Sequence, residues 1–71
     1  MNTVTELALR AVIERIIANA IDRIPADQVA QNEQAREAFV KWKDALNRCD
    51  QQAAAEAWLV LDGTIGPMIG N

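Results

Sequence analysis

Residues 35–49, AREAFVKWKDALNRC, decide the fold. Ala35, Ala38, Phe39, Trp42, Ala45, Leu46 and Cys49 recur three or four apart, the period of one helix face. Arg36, Glu37, Lys41, Lys43, Asp44 and Arg48 occupy the other side. The segment therefore reads as an amphipathic helix with one side that must be covered. Two of the chain's three aromatic residues lie on the apolar side, so the core is expected to form around them. Glu37/Lys41 and Asp44/Arg48 are acid-first pairs four apart, each worth a few tenths of a kcal/mol.

The following segment supplies one cover. Asp50 suits the N-cap of another helix, so the connection is very short and the two helices are antiparallel neighbours. That helix is expected over about 51–61. Ala54, Ala57, Trp58 and Leu61 make its main face, and Leu59 points elsewhere. The stretch 63–71, GTIGPMIGN, holds all three glycines and a proline. It reads as an irregular apolar tail, with Ile65, Met68 and Ile69 either folded back or awaiting a partner.

The preceding segment supplies the other cover. Thr3-Val4-Thr5-Glu6 fits a capping box, and a helix is expected over about 4–23, stopped by Ile24-Pro25. Leu9, Ile13, Ile16, Ile17, Ala20 and Ile24 form its principal face, widened by Leu7, Ile21 and Val12. A helix apolar over more than half its circumference usually has more than one neighbour. The connection runs from Pro25 to Gln31. A start of the central helix at Asp27 would turn Val29 away from the Phe39/Trp42 stripe, which favours a start near 33 with Asn32 as N-cap. The helix is then expected over about 33–49; the alternatives are that residues 26–31 form a separate helical turn, or that the helix starts early and leaves Val29 exposed.

The expected architecture is all-α: a small three-helix bundle, or a helical hairpin plus a long N-terminal helix, in a single domain 1–71. Phe39, Trp42, Leu46, Trp58 and Leu61 are its expected core. A chain of 71 residues, 51% of them hydrophobic, has little volume in which to bury so much apolar surface. One cysteine closes no internal disulfide, and with no histidine it makes no zinc set. Small folds without staples lean on tight packing or on association. Self-association, with a homodimer favoured, is expected through Leu7, Ile13, Ile17 and Ile21. A partner interface is expected at Leu59, Ile65, Met68 and Ile69.

Composition narrows the chemistry. The chain lacks histidine, serine and tyrosine, hence the commonest general base and the commonest acyl nucleophile. Cys49, on the apolar stripe, reads as a small buried residue. Glu33 and Glu37 share a solvated face, and no glycine-rich loop precedes a helix to hold phosphate. The net charge of −3 is interspersed, and Arg10, Arg15 and Arg23 lie on different sides of one helix. No nucleic-acid track, metal site or cofactor is therefore expected. No apolar run approaches the ~20 residues of a membrane span, and the N-terminus lacks signal-peptide features. The expected setting is a reducing cytoplasm.

The hairpin AREAFVKWKDALNRCDQQAAAEAWLVLDG resembles a tetratricopeptide-type helix pair in its alternation of small and aromatic residues, without that family's spaced glycine and closing proline. The length, the caps and the missing catalytic set are similar in style to the small helical inhibitors that bacteriophages encode against host or defence proteins. That resemblance implies a non-enzymatic protein that works by occupying a partner's surface. A self-assembling structural subunit is the alternative. A third is an oligomer that sequesters a small anionic ligand, which would need arginines to converge between subunits.

Overall fold

The computed structural model describes residues 3–69, with side chains from 4 to 68. Three α-helices follow one another: α1 (Thr3–Asp22), α2 (Val29–Asn47) and α3 (Gln51–Ile69). No strand occurs among the described residues. The lengths are 20, 19 and 19 residues, so α1 is not distinctively long. The capping box expected at Thr3 lies outside the described side chains.

The amphipathic stretch sits where its period places it. Ala35, Ala38, Trp42 and Ala45 are buried, and Phe39 and Leu46 pack against the core from its edge. The alanines let α3 approach closely, and Ala54, Ala57, Leu61 and Ile65 meet them from the other side. The α2–α3 interface is the most extensive of the molecule. Trp42 lies 5.7 Å from Trp58, tilted 44°, and 6.4 Å from Phe39, geometries that aromatic pairs favour. Lys43 sets its Nζ 4.3 Å above the Phe39 ring and shields that edge.

The turn between α2 and α3 is a Schellman closure. The Asp50 N–H donates to the Ala45 carbonyl at 2.8 Å and the Cys49 N–H to the Leu46 carbonyl at 3.1 Å. That pair of bonds requires a left-handed residue between them, the position glycine ordinarily takes. Cys49 takes it, with φ 57°. It is therefore exposed, not buried on the stripe: α2 has ended at Asn47, and the reversal swings residue 49 off the helical face. Asp50 caps α3 as expected, its Oδ1 accepting from the Ala53 N–H at 3.0 Å. Arg48 pairs with Asp44 at 2.9 Å on the surface, while Glu37 and Lys41 form no ion pair.

Two helix boundaries differ from expectation, and each accounts for the other. α2 begins at Val29, four residues before 33. Val29 is exposed at that start. Asn32 is no cap: it lies within the helix, and its Oδ1 accepts from Arg36 Nε at 2.6 Å. α3 continues through Gly63, Gly66 and Pro67 to Ile69, so the irregular tail does not exist among the described residues. The added turns of the two helices lie together. The Gln31 side chain donates to the Thr64 carbonyl at 2.7 Å, and Ile65 is fully buried in the same cluster as Ile24 and Ala35. Helical glycine costs about 1 kcal/mol per residue, against about 1.5–3 kcal/mol for burying an isoleucine. Neither glycine has a positive φ, so nothing in the backbone demands a break. Pro67 withholds a hydrogen bond only from the carbonyl of exposed Gly63, where water can replace it.

α1 ends at Asp22, and Pro25 opens the turn in which the Gln28 N–H donates to the Pro25 carbonyl at 2.9 Å. Its last turns, with the residue just beyond them, carry the anchor: Ile17, Ala20, Ile21 and Ile24 are all buried. Ile17 and Ile21 are thus core residues of one copy and not a free face for self-association. In the upstream half Arg10 makes a polar contact with α2. Arg10 donates from Nη2 to Asn47 Oδ1 at 2.9 Å and reaches the Lys43 carbonyl at 3.5 Å, near the C-terminus of α2. Since Arg10 already meets the last residue of α2, little of the hairpin remains to cover the turns before it. Val4, Leu7 and Leu9 stay exposed there, Val12, Ile13 and Ile16 are exposed farther along the helix, and the molecule is drawn out to 43 × 22 × 15 Å.

Candidate functional site: apolar grooves beside α1 and the outer face of α3

The incomplete cover over α1 leaves two grooves. One, of about 370 Å³, lies between α1 and α3 and is lined by Ile13, Ile16, Ile17, Trp58, Leu61, Asp62, Ile65 and Gly66. It is almost wholly apolar, with Asp62 alone bringing a charge. Trp58 explains its shape. One side of its ring rests on Trp42 and the other faces solvent, so the residue is 40% exposed and only partly a core residue. The second groove, between α1 and α2, is lined by Glu6, Leu7, Leu9, Arg10, Ile13, Trp42 and Leu46. Ile13 stands on the ridge between them.

The outer face of α3 is a separate surface. Leu59 is 71% exposed, the most exposed of the large apolar residues on that helix. Ala55 and Gly63, one turn to either side, are exposed and small, and a Cβ added at Gly63 would meet nothing within 4 Å. Glu56 and Asp62, three residues to either side, are exposed and charged, so Leu59 stands between small and acidic neighbours. The other residues expected beside it are elsewhere. Ile65 points into the core because it continues the Ala54, Ala57, Leu61 stripe at helical spacing. Met68 packs partly against that core, and the Ile69 side chain lies outside the described residues. Leu7 and Ile13 are exposed as a self-association surface requires, whereas Ile17 and Ile21 are not.

A polar groove of about 430 Å³ runs between α2 and α3 on the side away from α1, with Glu37, Lys41, Asp44, Arg48 and Glu56 along it. Its three acids and two bases give no bias toward an anion. Nor do the arginines gather. Arg10 is tied to α2, Arg23 donates to the Asn19 carbonyl, Arg36 to Asn32 and Arg48 to Asp44. Arg10 Nε is buried without a hydrogen bond, and Glu14 approaches it at 3.6 Å, an ion-pair distance too long for one. Among the described residues no group of three or more metal-capable side chains occurs, and no helix is long and apolar enough to cross a membrane.

Sequence reasoning missed Leu9, Val12 and Ile16 as surface residues, because the apolar period on α1 does not reveal how far the covering hairpin reaches. Comparison with protein-family models, with curated proteins and with solved structures found no match.

Proposed function

We propose that the protein is a non-enzymatic binding module that acts by occupying a surface of another protein. The observation that carries this is Leu59, 71% exposed in the middle of α3, with the small residues Ala55 and Gly63 one turn to either side and the exposed acids Glu56 and Asp62 beside them. A large, exposed apolar side chain in mid-helix matches the way one helix anchors in another protein's groove. Subtraction supports the same reading. The chain has no histidine or serine, and its thiol sits alone in an exposed turn. Within this function the mode of action we favour is inhibition by occlusion, the mode of the bacteriophage-encoded helical inhibitors that the chain resembles in style.

The test is affinity capture from a lysate of the source organism or its host, with wild-type protein and Leu59→Arg as paired baits, read by quantitative mass spectrometry. One protein should be enriched on the wild type and lost on the variant, whose helical circular dichroism should be unchanged. Identical profiles on both baits would remove Leu59 as the anchor, and no enriched protein on either would remove the function.

A further inference from the structure

Leu9, Val12, Ile13 and Ile16 of α1 are 59%, 43%, 38% and 42% exposed. Their spacing, i, i+3, i+4 and i+7, makes one continuous stripe. Trp58, 40% exposed, borders it across the α1–α3 groove. No charge interrupts it. Arg10 and Glu14 turn toward α2 and each other, and Arg15 falls on another side of the helix.

The size of the uncovered surface says what fits. A folded monomer of 7.8 kDa exposes about 4,400 Å² by the usual scaling with mass, and this chain exposes 5085 Å². The excess of roughly 700 Å² belongs to the whole molecule, with the α1 stripe as its largest run of contiguous apolar residues, and is on the order of the ~800 Å² that each partner contributes to a standard interface. The stripe is also self-complementary. A two-fold axis placed between Val12 and Ile13 seats Leu9 against the partner's Ile16 and Val12 against the partner's Ile13, with large apolar groups meeting at every position. That is the requirement of an isologous contact.

We propose that the chain pairs with a second copy of itself, α1 antiparallel to α1 across this stripe, with Trp58 at the rim. The contact lies apart from Leu59, so the failure of one surface leaves the other standing.

Sedimentation equilibrium of the wild type should give twice the chain mass at micromolar concentration. Val12→Glu places two carboxylates beside the axis and should weaken pairing by at least about 100-fold, while helical circular dichroism persists because the side chain is already half exposed. Ile13→Lys should do the same alone. An equimolar mixture of the two variants should recover the dimer mass, since each glutamate then faces a lysine. A wild type that stays monomeric to about 1 mM, which leaves the stripe to a different protein, overturns the proposal. So does a dimer unmoved by Val12→Glu, or a mixture that fails to recover. If Val12→Glu unfolds, an equimolar mixture of Leu9→Cys and Ile16→Cys, each in a Cys49→Ala background, decides. Rapid oxidation to a disulfide-linked pair supports the axis. Oxidation no faster than that of a Leu59→Cys control overturns it.

Discussion

Cys49→Gly should make the protein more stable, although it deletes a side chain. Cys49 holds φ 57° to close the α2–α3 turn, with the Asp50 and Cys49 amides bonded back to Ala45 and Leu46. A residue with a Cβ pays roughly 1–2 kcal/mol for that conformation, and glycine pays almost none. Glycine also loosens the unfolded chain, which returns about 0.4–1 kcal/mol of the gain. The exposed thiol contributes little packing to set against the remainder. The net expectation is about 0.5–1 kcal/mol of added stability. For a domain of this size that is about 2–8 °C in the melting temperature. The assay is thermal and urea unfolding under reducing conditions, so that thiol oxidation plays no part, with Cys49→Ala as control. Alanine keeps the Cβ and the strain, and should leave the midpoint within about 0.5 kcal/mol of wild type. Asparagine, which tolerates left-handed geometry better than most residues, should fall between them. A Cys49→Gly variant less stable than Cys49→Ala would show that the turn does not carry this strain.

Two further predictions bear on α3. Ile65→Ala should cost about 2–5 kcal/mol in urea unfolding, because it empties a fully buried site; an unchanged midpoint would mean that the residues after Gly63 do not belong to the core. Gly63→Ala should add up to about 1 kcal/mol, since the position is helical and a Cβ there meets open space; a loss of stability would argue against a continuous α3.

The legible part of the fold was the part with strong period and clear caps. Residues 35–46 alternate small and large apolar side chains against charges, and Asp50 stands at the one position where a cap joins two helices by a short turn. Neither depends on distant context. The boundary at Gly63 does. Glycine and proline are local signals of weak helix, and here the burial of Ile65 and the bond from Gln31 to Thr64 outweigh them. The spacing of Ala54, Ala57, Leu61, Ile65 and Met68 carried the contrary signal throughout. At Cys49 the period misled in the opposite sense: one more step along the stripe would bury the thiol, but the chain reverses first. The candidate surfaces were partly legible. Leu59 falls off the apolar face of α3 by spacing alone, whereas the exposure of Leu9 depends on where α2 ends beneath α1, and that of Val12 and Ile16 on which side of α1 the hairpin covers.

The lopsided fastening of α1 has a consequence for how the molecule breathes. Its grip lies in Ile17, Ala20, Ile21 and Ile24, beside the hinge at Pro25, with Arg10 tying the upstream half to α2. Such a helix is expected to melt from its free end inward, so amides before Arg10 should exchange with solvent far sooner than those around Ala20. The α2–α3 pair would persist through those openings, and α1 would behave as an arm latched at its base.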